Sequence, residues 1–198
     1  MRLRKPRSPT WKAFLNNHVK ELVSLDFFVV PTVTYQVLFV LLILAHERRR
    51  IAHCNVTEHP TAAWTAQQVV DAFPWDEDPR YLLRDRDRIY GAAFRQRVRN
   101  MGIEEVLIAP RSPWQNPYVE HVIGSLRREL FDDVIVLNER HLQRILQPYL
   151  GYYHGYRTHR ALDMDTPIPR PRQPPELSRV REVPEVGGLH HHYERIAA

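Results

Sequence analysis

Residues 21–30 read Glu-Leu-Val-Ser-Leu-Asp-Phe-Phe-Val-Val, and after Glu21 the only charge in this run is Asp26. Branched and aromatic side chains favour a β-strand, which Pro31 would end. A carboxylate buried alone in such a strand is costly, so Asp26 needs a partner or a metal ion unless it faces solvent on an edge strand. The stretch therefore predicts the first strand of a sheet and a candidate ligand within it.

The flanking sequence predicts four more strands and four helices. Two strands follow closely, at residues 36–45 and 50–56, and the short gaps favour an antiparallel meander. A helix capped by Thr61, a strand at 80–85, a helix ending at Gly102 and a strand at 104–108 come next. Two longer helices begin near Asn116 and Asn138. This order is that of the α/β ribonuclease H-like fold: a mixed five-stranded sheet, three antiparallel strands then two parallel, flanked by helices.

Two further carboxylates are candidates for the same site as Asp26. If the first and fourth strands pair in parallel, Asp85 at the end of the fourth reaches the edge where Asp26 lies. Asp87 competes with Asp85 for this role, and an exposed loop of alternating charge is the structural alternative. Glu120 lies in the first turns of the helix that follows Asn116. Three carboxylates would suit Mg²⁺ or Mn²⁺, and two such ions can promote phosphodiester chemistry.

The face of the helix that carries Glu120 continues through Gly124 to Arg127 and Arg128. A glycine lets a DNA backbone approach closely, and an arginine can bind a phosphate through two hydrogen bonds. Taken alone, this face is more typical of an ordinary amphipathic helix with a charged outer face. A zinc site is poorly supported, because Cys54 and the run His190–His192 have no paired spacing.

Charge and composition restrict the class of protein. Residues 1–20 hold six Lys or Arg and no acidic residue, whereas the other 178 hold 22 basic and 23 acidic residues. Such a basic arm is typical of a phosphate-binding tail or a solvated leader. One cysteine excludes an internal disulfide, and the longest apolar run, nine residues from Val37, is too short to cross a membrane. A cytoplasmic, nucleoid-associated location is the expectation.

Several motifs together resemble the catalytic core of insertion-sequence transposases, in the DDE transposase and retroviral integrase superfamily. They are Leu25-Asp-Phe, Asp85 with Tyr90, Ser112-Pro-Trp-Gln-Asn-Pro-Tyr-Val-Glu120, Ile123-Gly-Ser-Leu-Arg-Arg-Glu-Leu130 and Tyr152-Tyr-His-Gly-Tyr-Arg-Thr-His-Arg-Ala-Leu162, with 34 residues between Asp85 and Glu120. The resemblance runs from about Ser24 to Pro167.

The resemblance implies a DNA transposase or integrase that cleaves and joins phosphodiester bonds, with Asp26, Asp85 and Glu120 as catalytic residues and ligands of two Mg²⁺ or Mn²⁺ ions. It implies DNA contacts at Asn116, Gly124, Arg127 and Arg128, element ends and target DNA as partners, and a homo-oligomer in a synaptic complex. The expected division is a basic N-terminal arm that is a linker remnant (1–20), an integrase core (21–162) and a proline-rich C-terminal tail (163–198).

Two departures from the family pattern leave alternatives open. Asp87 stands where many relatives have glycine, and the second interval has 34 residues where many relatives have 35. Relatives also carry a helix-turn-helix region before the core, which 20 residues cannot hold. The chain can therefore also be interpreted as a truncated, non-catalytic DNA-binding or assembly remnant, or as a general ribonuclease H-like nuclease that would cut RNA–DNA hybrids.

Overall fold

The computed structural model describes residues 9–74, 78–171, 173–174 and 179–197. Its helices and strands, in chain order, are α1 (Pro9–Asn17), β1 (Leu22–Pro31), β2 (Val37–Ala45), β3 (Ile51–Thr57), α2 (Ala62–Ala72), β4 (Tyr81–Arg84), α3 (Ala92–Asn100), β5 (Glu104–Leu107), α4 (Pro117–Leu126), α5 (Glu139–Gly155), β6 (Arg179–Glu185) and β7 (His190–Ile196). A π-helical turn, Arg127–Phe131, directly continues α4.

Strands β1 to β5 form one sheet in the order β3-β2-β1-β4-β5. The β1–β2 and β2–β3 pairs are antiparallel, and the β1–β4 and β4–β5 pairs are parallel. The predicted ribonuclease H-like sheet is thereby confirmed. Strand β2 lies inside the sheet, between β3 and β1, and its residues Leu38 and Val40 to Leu44 are fully buried, as expected of an apolar run covered on both faces.

Helices cover the two faces of this sheet. On one face Phe28 and Val30 of β1 pack with residues of α4 and α5. On the other face Val23 and Leu25 of β1 pack with residues of α2 and α3. Because successive side chains of a strand point to opposite faces, the even-numbered positions near the end of β1 face α4. Asp26 is one of them.

Residues 9–17 lie in the predicted basic arm, and they form helix α1. Leu15 is buried with Tyr81 and Leu83 of β4, and Trp11 and Phe14 pack against the same cluster. The apolar residues Trp11, Phe14 and Leu15 give only a weak helical pattern in the sequence, because Lys12 and the nearby arginines dominate the composition of this segment.

Within the predicted proline-rich tail, residues 163–198, β6 and β7 form an antiparallel hairpin over 179–196. Gly187 and Gly188, both with positive φ, allow its tight turn. Tyr152 stacks on His190 with ring centroids 4.6 Å apart, and Tyr156 stacks on His192 at 3.7 Å, so the hairpin is held against the end of α5. The division at residues 20/21 and 162/163 stays a prediction.

Candidate active site

Asp26 lies midway along β1, on the face that α4 covers. Its side chain is only partly buried, and its Oδ1 accepts a hydrogen bond of 2.8 Å from the backbone N–H of Phe27. The ring of Phe27 points to the other face, where it lies 6.3 Å from the ring of Tyr90. This hydrogen bond and the packing of Phe27 on the opposite face position Asp26 in the strand.

Asp85 follows directly after β4, and the parallel pairing explains its position. In the register of β1 and β4, Ser24 lies opposite Leu83. Two residues further along both strands, Asp26 and Asp85 come level at the same edge of the sheet. Asp85 Oδ1 accepts a hydrogen bond of 3.1 Å from the backbone N–H of Asp87, which turns the chain away from the strand.

Glu120 lies in the first turn of α4, whose N-cap residue is Asn116 and whose first residue is Pro117. The predicted start of this helix is correct, but the Asn116 side chain makes no capping hydrogen bond. Its Oδ1 is instead buried with no hydrogen-bond partner among the described residues. Glu120 itself is exposed on the side of α4 that faces the end of β1.

One open cavity of about 350 Å³ unites the predicted residues. Asp26, Asp85, Glu120 and Asn116 all line it, and so does the rival carboxylate Asp87. Three separate elements supply the three carboxylates of the predicted triad: β1, the end of β4 and the start of α4. The geometry therefore brings the triad together, and it leaves the choice between Asp85 and Asp87 open.

Burial and negative charge dominate the electrostatics of this cavity. Desolvation, followed by the carboxylate of Glu120, raises the pKa of Asp26 from 3.8 to about 7, with a smaller contribution from Asp85. The backbone N–H of Phe27 and the charge of Arg127 oppose this rise. Burial also raises the pKa of Glu120, and Arg127 again opposes it. Such a concentration of carboxylates favours binding of a cation.

The donor set fits a hard divalent cation, although the side chains are not gathered around a single point. Among the described residues, no group of three or more His, Cys, Asp or Glu side chains is close enough together to hold a metal ion. The cavity nevertheless offers carboxylate oxygens from three elements and the unpartnered Asn116 Oδ1. Oxygen donors of this kind suit Mg²⁺ or Mn²⁺, and a cation would relieve the repulsion that raises the Asp26 pKa.

The basic residues of α4 and its π-helical turn occupy different positions. Arg127 is exposed, and its charge acts on both Asp26 and Glu120, which places it beside the cavity. Arg128 is exposed too, but its guanidinium lies over Gly124, where Nη1 would be 3.2 Å from an added Cβ. The surface above Gly124 is thus covered by an arginine side chain. The predicted DNA contacts at these positions stay predictions.

Sequence reasoning missed two arginines that line the cavity, Arg86 and Arg111. The Arg86 Nε donates a 3.1 Å hydrogen bond to the carbonyl of Ile108, and Arg111 adopts a left-handed conformation with φ of 55°. Arg111 stands beside the Ser112-Pro-Trp motif, and that position was the only available signal. The sequence does not show that the segment between β5 and α4 lines the cavity, so Arg111 could be identified only from the structure.

The residues considered for a zinc site lie apart from this cavity. Cys54 of β3 borders a separate pocket beside α5, and burial raises the pKa of its thiol to about 12. His190, His191 and His192 lie on β7, where they border a pocket with Tyr152 and Tyr156. Nothing in this arrangement relates Cys54 to the histidine run.

Comparisons with known proteins agree with this geometry. Residues 101–167 match the family model described as Integrase core domain. A search of curated proteins found no match. No helix in the described ranges is long and apolar enough to cross a membrane.

Solved structures with a similar fold include the following three. A chain of the simian T-cell lymphotropic virus intasome in complex with PP2A regulatory subunit B56 gamma has 13% identity and a TM-score of 0.60, over 82% of this chain and 62% of that one. The catalytic domain of Mos1 mariner transposase has 16% identity and a TM-score of 0.60, over 72% and 78%. The catalytic core domain of BIV integrase has 16% identity and a TM-score of 0.55, over 75% and 91%.

At these identities the structural likeness shows the fold. The chain spans less than two thirds of the viral intasome chain. Together with the family match over 101–167, the shared fold supports the resemblance read from the sequence motifs.

Proposed function

From the integrase core match and the shared fold, which support a place in the DDE transposase and retroviral integrase superfamily, we propose that this chain cleaves and joins DNA strands with the help of divalent metal ions. The reaction would be phosphodiester cleavage at an element end followed by strand transfer into target DNA. The observation that carries the proposal is the meeting of Asp26, Asp85 and Glu120 on one cavity.

The three carboxylates are the residues that would hold the metal ions. Structures of similar fold include the Mos1 catalytic domain with Mn or Mg and the HTLV-2 integrase core in complex with magnesium. When bound, a pair of such ions would activate a water or 3′-hydroxyl and neutralise the leaving oxygen. We propose two ions here, since three carboxylates and the Asn116 carbonyl offer more oxygens than one Mg²⁺, which keeps several waters, usually takes from a protein.

The residues of the chain itself supply binding and orientation. The rigid strand β1 fixes Asp26, while Asp85 and Glu120 approach it from the end of β4 and the start of α4. Positioned donors cost no reorganisation when charge develops during the reaction. Arg127, beside the carboxylates, is suited to bind a phosphate of the DNA backbone that leads into the cavity.

We propose DNA element ends and target DNA as the substrates and a homo-oligomer as the working assembly. The support comes from relatives: one similar chain belongs to an intasome, and the HTLV-2 integrase core is known in dimeric and trimeric forms. Arg86 and Arg111 add positive charge to the rim of the cavity, which would help hold a second DNA strand against the acidic centre.

A cleavage assay tests the proposed function. The chain is incubated with a labelled DNA duplex that carries the terminal repeats of the candidate element, with Mg²⁺, Mn²⁺ or a chelator. We expect metal-dependent nicks and, with target plasmid, joined products. Because each carboxylate would stabilise charge in the transition state, Asp85→Asn and Glu120→Gln should each lower the rate by a factor on the order of a hundred or more.

Asp87→Asn is the matched control for this assay, since Asp87 lines the same cavity and directly follows Arg86. It should keep most of the activity. If Asp87→Asn abolishes cleavage and Asp85→Asn does not, the second ligand is Asp87. Cleavage that persists in a chelator, or in both Asp85→Asn and Glu120→Gln, would contradict the proposed chemistry. Cleavage of RNA–DNA hybrids without joined products would identify a general nuclease.

A second candidate function is DNA binding or assembly without catalysis. The observation that favours it is the separation of the acidic side chains, which form no ready ligand group within the described part of the chain. In that case the duplex would be bound but left intact under every metal condition, and the three carboxylate variants would bind it as tightly as the unaltered chain.

The phosphate role of Arg127 gives a separate prediction. Arg127→Ala should weaken DNA binding roughly threefold to tenfold at moderate salt and lower the slope of log Kd against log salt by about one, because one phosphate contact is lost. Arg144→Ala is the control, as Arg144 is exposed on α5 beside the Cys54 pocket, away from the cavity. Fluorescence anisotropy across a salt series measures both. Equal slopes for Arg127→Ala and the unaltered chain would count against the phosphate contact.

A further inference from the structure

Helix α1 packs against the sheet next to the candidate active site. The ring of Phe14 lies 5.6 Å from that of Trp11 and makes an edge contact of 5.4 Å with Tyr81 of β4. Leu15 is buried in the same cluster together with Ile108, which follows β5. The helix is thus fixed to the two parallel strands whose ends lead into the cavity.

From this position α1 reaches the segment between β5 and α4, residues 109–116, which we call the cavity loop. Trp11 Nε1 donates a hydrogen bond of 3.0 Å to the backbone carbonyl of Gln115, across 104 residues of sequence. The indole is partly buried, so competition by water is reduced. This bond ties α1 to the last turn of the cavity loop.

Gln115 also ties the cavity loop to itself. Its side-chain Oε1 accepts a 2.6 Å hydrogen bond from the backbone N–H of Ala109, at the opposite end of the loop. Its own N–H donates to the carbonyl of Ser112 at 2.9 Å, and the N–H of Asn116 donates to the carbonyl of Pro113 at 2.9 Å. One residue therefore closes the loop, and Trp11 holds that residue in place.

The cavity loop forms one wall of the candidate active site and leads into its third carboxylate. Residues 109–113 and Asn116 line the cavity, Arg111 among them. Glu120 lies only four residues after Asn116, in the first turn of α4. A displacement of Gln115 would therefore shift both the wall of the cavity and the start of the helix that carries Glu120.

We propose that Trp11 is a positioning residue: its hydrogen bond to Gln115 holds the cavity loop, and with it Asn116 and Glu120, in the arrangement that the site requires. The consequence for catalysis rests on the proposed function, whereas the ordering of the loop does not. Trp11 does not line the cavity, so it would act through its bond to Gln115.

The experiment is amide hydrogen exchange followed by mass spectrometry on the full chain with Trp11→Phe. Phenylalanine keeps an aromatic ring next to Phe14 and removes the indole N–H. Loss of one net hydrogen bond corresponds to about a fivefold change in an opening equilibrium. We therefore expect about fivefold faster exchange in the peptide that covers residues 109–116, with the sheet strands β1 and β2 unchanged.

Two control variants separate this contact from general loosening. Trp64→Phe makes the same chemical change on α2, where the indole lies against Phe27, and should leave exchange of the cavity loop unchanged. Gln115→Leu keeps the carbonyl that Trp11 uses but removes the acceptor for Ala109, so the loop should also open. In the Gln115→Leu background, Trp11→Phe should add little, because both changes release the same closed loop.

Kinetics complete the test. A loosened cavity loop misplaces Glu120 but deletes no charged side chain, so Trp11→Phe should lower kcat roughly tenfold and raise KM by a smaller factor, through Arg111 and Asn116 of the same loop. Unchanged exchange over 109–116 in Trp11→Phe would overturn the proposal whether or not the chain cleaves DNA. Faster exchange with unchanged kcat would also overturn it. If the variants show the expected differences in exchange but the unaltered chain cleaves no DNA, only the proposed function is contradicted.

Discussion

Asp26→Asn is expected to make the protein more stable and, at the same time, inactive. The pKa of Asp26 in the folded chain is about 7, above its ordinary value of 3.8, so the ionised carboxylate opposes folding. This penalty is absent below pH 3.8, grows between pH 3.8 and 7, and is complete above pH 7. At pH 8 in a chelator the free energy of unfolding should therefore rise by about 2–4 kcal/mol in the variant, since one pKa unit corresponds to about 1.4 kcal/mol.

The pH and metal dependence identify the origin of this gain. Urea unfolding at pH 4, 6 and 8 should show a difference between the two proteins that is near zero at pH 4 and largest at pH 8. Mn²⁺ or Mg²⁺ should stabilise the unaltered chain and not the variant, because only the former keeps the full set of carboxylates. Asp71→Asn, on the exposed face of α2, is the control and should change nothing at any pH.

Activity should move in the opposite direction. Asp26→Asn removes the carboxylate that lies within strand β1 of the site, and the cleavage rate should fall by a factor on the order of a thousand. A gain in stability together with a loss of activity is typical of residues that are retained for function at the expense of folding. If the variant is less stable than the unaltered chain at pH 8, Asp26 is held by a favourable ion pair, and the proposed metal site fails.

The sheet could be predicted because its signals are local. The apolar runs of β1 and β2 identify strands by themselves, and the two-residue period explains why Asp26 faces α4. The predicted cap Thr61 is confirmed, since its side chain accepts a hydrogen bond from the backbone N–H of Trp64. Asn138, near which a helix was predicted to begin, caps α5 by accepting from the N–H of His141. Asn116 also directly precedes a helix, but its side chain is buried and makes no such bond. This burial depends on the tertiary structure.

The candidate site could be predicted only in part, because its parts come from distant segments. The prediction of the three carboxylates depended on two signals. The order of the elements suggested the β1–β4 pairing, and the family motifs indicated which acidic residues were the candidates. The contact between Trp11 and Gln115 joins residues that no periodicity relates, and helix α1 is short and follows a run of basic residues that dominates the composition of this segment. The hairpin of β6 and β7 depends on stacking of His190 and His192 against tyrosines of α5, a contact that composition cannot show.

The charged run Arg84-Asp-Arg-Asp-Arg88 shows how sequence alone misjudges burial. Alternating charges suggested an exposed loop, yet only 4% of the Arg84 surface is exposed. Its Nε donates a 2.6 Å hydrogen bond to Glu105 of β5, its Nη2 donates to the same carboxylate, and its Nη1 donates to the carbonyl of Asp85 at 2.7 Å. The guanidinium also lies 4.6 Å from the ring centre of Tyr90. Arg84 is thus a buried structural residue next to the site.

Arg84→Met should therefore destabilise the fold strongly, by about 3 kcal/mol, because it leaves the mostly buried carboxylate of Glu105 without a partner. The double variant Arg84→Met, Glu105→Leu removes both charges and should recover most of that loss, since apolar residues of similar volume can replace a buried ion pair. Arg181→Met breaks a pair with Glu194 in which 59% of the arginine side chain is exposed, and it should leave the stability nearly unchanged.

Urea unfolding at pH 7 of the unaltered chain, Arg84→Met, the double variant and Arg181→Met measures these differences in the free energy of unfolding. A double variant that is no more stable than Arg84→Met would mean that the loss came from the contacts of Arg84 with Asp85 and Tyr90, and that Glu105 tolerates its charge unpaired. A cost below about 1 kcal/mol for Arg84→Met would place the pair with the weak surface ion pairs, against the burial that the structure gives it. Because Arg84 also holds the carbonyl of Asp85, the single variant should bind Mn²⁺ more weakly than the unaltered chain even where both are fully folded.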